Sequence, residues 1–435
     1  MKTKIIVKGP ALSQSGYGEQ TRFALRALRT REDIYDIYVH NLSWGHTSWL
    51  WEDTEERAWL DNLLLKTMQY LQAAQQQSVG AHFDIALQVT IPNEWEKLAP
   101  VNLGYTAGIE TTRVAPGWIE KSFLMDEIIV PSAHSRDVYK GTHYEAENPT
   151  TGEKIDYHTQ VPVSAVNFPF KNVEASEINL DLDYDFNFLT VAQWSPRKNI
   201  DSVVKWFVEQ FIDQEVGLVV KTSMANNCYT DSVVATANLK AVLENPDYAD
   251  RKCKVYILHG YLKEHEMAAL YQHQKIKALI SLTHGEGFGL PVFEAAGYGL
   301  PVITTEWSGP CDFLFAPVER KGGKKKNKAL FSKVNYDMQP IQDHAVWDGV
   351  LHRESMWAYP QEGSAKMKFR DVLKNYNLHK KNAEVLSKHI KENWTNEKQY
   401  EQFLSHVSPY ANIVEEEEAF AVDEWLSNLN VEAHE

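Results

Sequence analysis

The chain has few cysteines and no long apolar segment. Its only cysteines, Cys228, Cys253 and Cys311, are scattered, which argues against a disulfide framework or a cysteine zinc site. No apolar run approaches the roughly 18 residues that a membrane helix needs, and the first apolar run is too short for a signal peptide. These absences favour a reducing compartment, and we expect the protein in the cytoplasm without a membrane span.

An excess of positive charge is also absent. The chain has 44 Lys and Arg against 59 Asp and Glu, a formal net charge of −15, so as a whole it is not suited to bind a polyanion. Basic residues are concentrated in a glycine-containing segment, residues 320–328, which we interpret as a loop, and acidic ones in residues 415–418. Solvated surface is a sufficient explanation for both segments.

Short apolar runs alternate with helical patterns along most of the chain. A length of 435 residues, 43% of them hydrophobic and 24% charged, is ordinary for two or three globular domains. The alternation stops at a polar stretch, residues 174–185, which we interpret as a hinge. The pattern predicts an α/β fold of two Rossmann-like, doubly wound domains that face a cleft, with ligand at the carboxyl ends of the strands.

The predicted boundaries are 1–172 for an acceptor-side N-terminal domain, 173–395 for a C-terminal domain, and 396–435 for a helical segment with an acidic tail. Residues 364–391 have the pattern of an amphipathic helical region, and core packing explains it. Its predicted apolar members are Met367, Val372, Leu373, Leu378, Val385 and Leu386.

The most informative segment is residues 284–296. Glu286 and Glu294 stand there around a glycine-rich turn, between a predicted buried strand, residues 276–282, and a predicted helix, residues 291–298. A strand, a glycine turn and a helix start form an anion site, because free backbone N–H groups and the helix dipole point at one place. Carboxylates beside such a site fit hydroxyl groups on either side of a diphosphate, which indicates a sugar nucleotide.

This segment resembles the signature of the family 4 retaining glycosyltransferases, in which seven residues separate two glutamates. Other blocks resemble the same family in the same order, namely residues 108–113, 130–135, 190–201 and 299–305. The resemblance is closest over residues 186–312. It implies the GT-B fold, whose last helix commonly crosses back to the first domain; residues 398–404 or 422–429 are the candidates here.

The resemblance also implies roles for the residues of the segment. Glu294 is expected to accept hydrogen bonds from the ribose hydroxyls, and Glu286 to hold hydroxyls of the donor sugar. A helix carboxylate that complements the dipole is the alternative for Glu294. Backbone amides around the turn are expected to contact the sugar or the phosphates, at Gly287, Phe288, Gly289 and Leu290.

Arg197 and Lys198 are the expected partners of the diphosphate, because fixed cations stabilise the charge on a leaving phosphate. An exposed turn with two solvated cations is the alternative. The family usually has an arginine at the position of Gln193, and Arg197 is a candidate for the missing charge. Lys221, at the end of a predicted strand, either assists or is an ordinary strand-end lysine.

Further candidates lie in the N-terminal half. Gly16 and Gly18 resemble the glycine loop after the first strand of the fold, although a tight turn explains them nearly as well. Glu110 and Arg113 are expected to face the cleft, with a structural ion pair as the alternative. An aromatic cluster is our first candidate for the acceptor site, although a packed loop is the simpler explanation; it comprises Trp44, His46, Trp49 and Trp51.

We expect no metal and no bound cofactor. Residues 181–185 imitate the Asp-x-Asp metal motif of another glycosyltransferase architecture, but they lie in the polar stretch and we interpret them as linker. No other His, Asp or Cys cluster has metal-ligand spacing in the sequence. Arg197 and Lys198 are expected to do the work of a metal.

The expected activity is retaining transfer of a sugar from a nucleotide diphosphate sugar to a hydroxyl of a glycan, a lipid-linked acceptor or a small molecule. A hydroxymethylated DNA base is a second candidate acceptor, with which the basic segment is compatible and the net charge is not. A sugar-nucleotide epimerase or a catalytically dead binder of sugar nucleotides would also fit the motifs. The donor base, the sugar, the acceptor and the oligomeric state do not follow from the sequence.

Overall fold

The computed structural model describes residues 2–147, 152, 154–319 and 325–411. Within these ranges the chain forms two six-stranded parallel sheets, one after the other along the sequence, with α-helices between their strands. The predicted α/β class with two Rossmann-like sheets is confirmed.

The first half of the chain contains strands β1 to β8 and helices α1 to α4. Their bounds are β1 (Thr3–Gly9), α1 (Gly16–Arg29), β2 (Tyr35–Asn41), α2 (Glu55–Gln76), β3 (Ile85–Gln88), β4 (Val101–Tyr105), α3 (Pro116–Ser122), β5 (Glu127–Val130), α4 (Ala133–Gly141), β6 (Tyr144–Glu147), β7 (Lys154–Tyr157) and β8 (Val163–Ala165). The parallel sheet has the order β2-β1-β3-β4-β5-β8, and β6 pairs with β7 in an antiparallel ribbon.

The second half contains strands β9 to β18 and helices α5 to α11. Their bounds are β9 (Asn187–Gln193), α5 (Ile200–Phe211), β10 (Gly217–Ser223), α6 (Tyr229–Leu243), β11 (Lys254–His259), α7 (Glu264–Gln272), β12 (Ile276–Ser281), α8 (Leu290–Gly297), β13 (Val302–Thr305), β14 (Phe315–Glu319), β15 (Lys325–Ala329), β16 (Ser332–Val334), β17 (Tyr336–Pro340), β18 (Met356–Pro360), α9 (Glu362–Lys374), α10 (Tyr376–Asn393) and α11 (Asn396–Val407). The parallel sheet has the order β11-β10-β9-β12-β13-β16.

The first strand, loop and helix show why this sequence folds as it does. Strand β1 contains the continuous apolar run Ile5, Ile6 and Val7, as expected for a strand that is covered on both faces. All three side chains are buried. Ser15 caps α1 by accepting a hydrogen bond from the Gly18 backbone N–H at 3.0 Å. A Cβ on Gly18 would lie 2.0 Å from the Ser13 carbonyl oxygen, so the tight turn requires glycine there.

Helix α11 returns to the N-terminal sheet. Its Phe403 is fully buried, with its ring centroid 5.4 Å from that of Phe23 in α1 and 5.5 Å from that of Tyr105 in β4. The crossing expected for residues 398–404 is therefore confirmed. The other candidate, residues 422–429, and the acidic segment 415–418 lie outside the described residues. The boundaries at 172 and 395 stay predictions.

The amphipathic region predicted over residues 364–391 consists of two helices, α9 and α10, that meet at Asn375. Val372 and Leu386 are buried as expected, but Met367 and Leu378 are 49% and 59% exposed. The expectation was wrong for these two and for Val385, which is 41% exposed. The chain breaks into two helices at Asn375, so the 3.6-residue spacing does not continue from one helix to the next. One continuous apolar face therefore does not form.

The basic segment also differs from its prediction. Residues 325–328 belong to strand β15, with Lys325 paired opposite Glu319 of β14. An exposed ribbon of this kind leaves the lysine side chains in solvent, so their charge does not oppose strand pairing. Residues 320–324 of the segment lie outside the described residues.

Two further observations concern membrane-spanning helices and cysteines. None of the described helices combines the length and the apolar character needed to cross a membrane. Cys228, Cys253 and Cys311 are all free thiols.

The packing of α11 gives a stability test. We expect Phe403→Ala to lower the free energy of unfolding by about 3–5 kcal/mol, because it removes a fully buried ring between two other aromatic rings. Met367→Ala, at a half-exposed helix position, is the control and should cost about 1 kcal/mol or less. Urea unfolding measures both; equal losses would contradict the crossing contact.

Candidate active site

The glycine-rich turn between β12 and α8 lies directly against the N-terminal half of the chain. A Cβ on Gly285 would lie 2.0 Å from the Glu110 carbonyl oxygen, and one on Gly287 would lie 2.1 Å from the Ala107 carbonyl oxygen. Two backbones can approach this closely only where a side chain is missing. Ser135 adds a hydrogen bond from its hydroxyl to the Gly287 carbonyl oxygen at 3.3 Å. The two halves therefore meet at the motif.

Helix α1 supports the other side of this contact through Tyr17. Its hydroxyl lies 2.7 Å from Thr106 Oγ1 and accepts hydrogen bonds from the backbone N–H groups of Ala107, at 3.2 Å, and Gly108, at 3.1 Å. Burial raises the pKa of Tyr17 to about 12, so the hydroxyl keeps its proton. Tyr17 belongs to the predicted glycine loop, so this loop holds the segment after β4 in contact with the motif.

Glu286 is the centre of a buried charge cluster. Its carboxylate accepts from Lys198 Nζ at 2.5 Å and from Arg197 Nη1 at 3.2 Å. Arg197 Nη2 also lies 3.1 Å from the Glu110 carboxylate, across the two halves. Burial by itself would raise the pKa of Glu286, but Lys198 and Arg197 hold it below its usual range. Burial, together with Glu286, raises the pKa of Glu110 despite Arg197.

The loop after β9 places both cations. The Arg197 carbonyl oxygen accepts from the His284 backbone N–H at 2.8 Å, and Asn199 Nδ2 donates to the Leu282 carbonyl oxygen at 3.1 Å. Asn199 has a left-handed backbone, with φ of 54°, which asparagine tolerates better than most residues. The cation loop is thereby held at the end of β12, next to Glu286.

Gln193 and Lys221 do not join this cluster. Gln193 is exposed and donates through its amide to the Met224 carbonyl oxygen. Lys221 donates to the carbonyl oxygen of Gly260, a glycine with φ of +97°, and burial lowers the pKa of this lysine to about 8. Lys221 therefore supports the turn after β11, and Arg197 occupies the place beside Glu286.

A cavity of about 590 Å³ opens between the two halves next to the motif. The predicted site residues that line it are Gly16, Trp51, Leu290 and Glu294. Other lining residues include Ser15, Glu19, Lys171, Tyr261, Lys263, Glu264, Tyr271 and Tyr298. Because Leu290 directly follows the glycine turn, the cavity and the charge cluster are joined through the start of α8.

Three helices begin at the wall of this cavity. Helix α1 starts at Gly16, α7 at Glu264 and α8 at Leu290, and all three residues line the cavity. The first turn of a helix has backbone N–H groups without intrahelical partners and the positive end of the dipole. Their convergence makes this space suitable for an anion.

Glu294 faces the cavity from the first two turns of α8. Its Oε2 accepts a hydrogen bond from the Tyr271 hydroxyl at 2.9 Å. Burial raises the pKa of Glu294 to about 7, although Tyr271 and the charge of Lys171 oppose the shift. This carboxyl group is therefore poised to gain or lose a proton near neutral pH.

Lys171 connects the cavity walls. Its Nζ lies 2.9 Å from the Glu19 carboxylate of α1 and 2.6 Å from the Glu264 carboxylate of α7. Burial opposes the charge of Lys171, but Glu19 and Glu264 raise its pKa. Burial would also neutralise Glu19, yet Arg26, Lys171 and Arg22 hold the pKa of Glu19 well below its usual range. The bridge holds the two halves together at the cavity.

The remaining predicted residues lie outside the cavity. Arg113 pairs with Glu354 at 2.8 Å, so Arg113 and Glu110 form ion pairs with the C-terminal half and not with each other. Trp44 packs on Tyr17, with ring centroids 4.6 Å apart.

Two tryptophans and a histidine of the same loop are open to solvent. His46 is exposed, and Trp49 is 46% exposed. Trp51 is 66% exposed at the rim of the cavity, where Lys263 Nζ lies 5.6 Å from its ring centroid.

Sequence reasoning missed Lys171, Tyr271 and Glu19 as cavity residues. Glu19 carried a weak signal, since it directly follows the glycine loop. Tyr271 and Lys171 carried none, because their position depends on how distant elements pack.

The close backbone contact gives a second test. We expect Gly287→Ala to lower the free energy of unfolding by about 1–3 kcal/mol, because the new Cβ meets the Ala107 backbone. Gly16→Ala is the matched control, since a Cβ there has no heavy atom within 4 Å. If urea unfolding shows equal effects, the two backbones are not in contact in solution.

Comparison with known proteins finds a family match within the second half of the chain. Residues 174–320 match the family model described as glycosyl transferases group 1. A probable sucrose-phosphate synthase 4 from Oryza sativa subsp. japonica is 31% identical over 133 residues, which span 28% of this chain and 12% of that protein. The chain thus covers only a small part of the length of this curated relative.

Solved structures resemble the whole fold at low sequence identity. The sucrose-phosphate synthase of Thermosynechococcus elongatus has a TM-score of 0.59 at 12% identity, over 94% of this chain and 99% of that one. The HepE protein of Anabaena, in complex with UDP and glucose, has a TM-score of 0.57 at 11% identity, over 94% and 100%. The chain has the GT-B fold, and its residues 174–320 match the group 1 glycosyl transferase model.

Proposed function

We propose that the protein is a retaining glycosyltransferase that moves a sugar from a nucleotide diphosphate sugar to an acceptor hydroxyl. The observation that carries the proposal is the convergence of Arg197 and Lys198 on Glu286, beside the first turn of α8. The family match over residues 174–320 supports the same activity.

The diphosphate is expected to bind between the two cations and the helix starts. Arg197 and Lys198 are already fixed by Glu286, so little reorganisation is needed when phosphate oxygens replace carboxylate oxygens. The N–H groups at the start of α8, after Gly289, supply further donors. These charges support our expectation that transfer needs no metal.

The nucleoside is expected to occupy the adjacent cavity. Glu294 offers carboxylate oxygens to two neighbouring ribose hydroxyls, and Tyr271 orients it through their hydrogen bond. Tyr261 gives the cavity aromatic surface for the flat base.

In the proposed reaction, Glu286 and the two cations have different roles. Glu286, released from the cations by the diphosphate, accepts hydrogen bonds from the donor sugar hydroxyls. The bond between the anomeric carbon and the phosphate oxygen breaks, and Arg197 and Lys198 stabilise the charge on the leaving phosphate. The acceptor hydroxyl attacks from the face that the phosphate leaves and gives its proton to the leaving phosphate oxygen, so the anomeric configuration is retained.

The acceptor is proposed to enter from the N-terminal half. Trp49 and Trp51 expose large parts of their rings near the cavity rim, as suits stacking on a sugar. A glycan, lipid-linked or small-molecule hydroxyl is our proposal. None of the three relatives described above is named for an action on DNA, so a DNA acceptor gains no support from them.

The test is mass spectrometry of a mixed pool of sugar nucleotides after incubation with the protein. We expect wild type to consume one donor, and Glu294→Ala to consume it about tenfold more slowly or worse, the loss of about one charge-assisted hydrogen bond. Glu244→Ala, at an exposed glutamate in the same half, is the control and should match wild type.

The same experiment distinguishes a transferase from an epimerase and from a dead site. Interconversion of two sugar nucleotides without acceptor would indicate an epimerase. Binding of a nucleoside diphosphate without turnover, with or without added acceptors, would indicate a dead site. Unchanged turnover in Glu294→Ala would overturn the site assignment.

The raised pKa of Glu294 predicts a pH dependence of donor binding. The ionised carboxylate accepts both ribose hydrogen bonds, so affinity should rise as pH increases through about 7 and fall by up to about tenfold per unit below it. Glu294→Gln should bind more weakly, with a flat profile. Calorimetric titration with the nucleotide sugar at several pH values measures this, and parallel profiles for the two proteins would contradict it.

A further inference from the structure

The ribbon of β6 and β7 gathers polar side chains on one face, away from the cleft residues described above. Glu145 lies opposite Asp156 in this antiparallel pair. Side chains two positions apart along a strand point to the same face. His143 and His158 extend the ladder by one step, so they form the next pair on the face that carries Glu145 and Asp156.

The distances confirm that three of these side chains converge. Asp156 Oδ2 lies 3.0 Å from Nδ1 of His143 and 3.3 Å from Nδ1 of His158. The three candidate ligand atoms are all within 4.8 Å of one another. The two imidazole rings stack, with centroids 4.5 Å apart and planes at 30°.

This spacing fits a small divalent metal ion. Zinc binds imidazole nitrogen and carboxylate oxygen at about 2.0–2.2 Å, so ligand atoms of a tetrahedral site are about 3.4 Å apart. The distances from Asp156 to the two histidines are close to this value, and the third separation, which is within 4.8 Å, is the one that would shorten on binding. Two imidazoles with one carboxylate are a ligand set that suits zinc better than calcium or magnesium.

We propose that His143, Asp156 and His158 bind a divalent transition-metal ion of the zinc type, with a fourth position open to water. The ion joins the two strands of the ribbon at its base. Nothing in the proposed transfer reaction requires it, so the site is independent of the proposed function.

A neighbouring side chain suits the role of an outer partner. The amide of Gln160 lies 2.8 Å from His158 Nε2. When Nδ1 binds a metal, Nε2 carries the proton, and the Gln160 amide can turn its oxygen to accept it. Such a hydrogen bond orients a ligating imidazole.

The ribbon is also tied to the interface between the two halves. The Thr142 hydroxyl accepts from the Val114 backbone N–H at 3.1 Å, and Tyr144 donates to the Val114 carbonyl oxygen at 2.5 Å. The guanidinium of Arg113 lies 5.0 Å from the Tyr144 ring centroid. A metal at the base of the ribbon would therefore stiffen a segment that leads to the Arg113 ion pair.

Metal titration of the untagged full chain, stripped with a chelator, tests the proposal. Calorimetry with Zn²⁺ and absorption spectra with Co²⁺ should both show one saturable site per chain. His143→Ala and Asp156→Ala should each weaken binding by at least about tenfold, because even the loss of an outer partner costs about that much. A zinc-dependent rise in Tm should disappear in the same variants.

Two matched variants remove other sources of binding. His82→Ala deletes a half-buried histidine of the same half that pairs with a single carboxylate, Asp84, at 3.1 Å. Cys228→Ser deletes the exposed thiol. Both should bind zinc as wild type does.

Two results would overturn the proposal. One is the absence of saturable binding in the wild type. The other is equal affinity in His143→Ala and His82→Ala. Metal-free unfolding curves of all variants establish that each one is folded, so a loss of binding reports on the ligands.

Discussion

The contact between the glycine-rich turn and the loop after β4 is the constraint on which the cleft depends. Gly285 and Gly287 bring two backbones so close that any side chain would collide with the opposite carbonyl groups. That approach carries Glu110 to Arg197 and leaves Glu286 between Arg197 and Lys198. This close backbone contact fixes the positions of the charged residues of the site and of the start of α8. It also fixes the cavity beside them.

The charge cluster explains how such a site remains stable without ligand. Two carboxylates, Glu286 and Glu110, balance two cations, Arg197 and Lys198, and buried charges of this kind are tolerated only when they are paired. On the proposed function, a diphosphate replaces Glu286 as the partner of the cations and frees it for the sugar hydroxyls. Donor binding is then an exchange of ion pairs within a fixed frame, and the Lys171 bridge keeps the cavity walls together during the exchange.

Features set by local pattern could be predicted from the sequence, and features set by packing could not. The strand before the motif was predicted at residues 276–282 and is observed as β12, Ile276–Ser281, because buried parallel strands are continuous apolar runs. The motif helix was predicted one residue late, since proline marks a first turn and not its exact start. The partners of Glu110 and Arg113 depend on how the two halves meet. The His143 cluster depends on strand register, because Asp156 is 13 residues further along the chain.

A crystal structure of the protein with a nucleoside diphosphate would test the account most directly. We expect phosphate oxygens within about 3 Å of Arg197 and Lys198, ribose hydroxyls on Glu294, and a Glu286 carboxylate that has left at least one of its two cations. A diphosphate bound elsewhere, with the ion pairs of Glu286 intact, would contradict it.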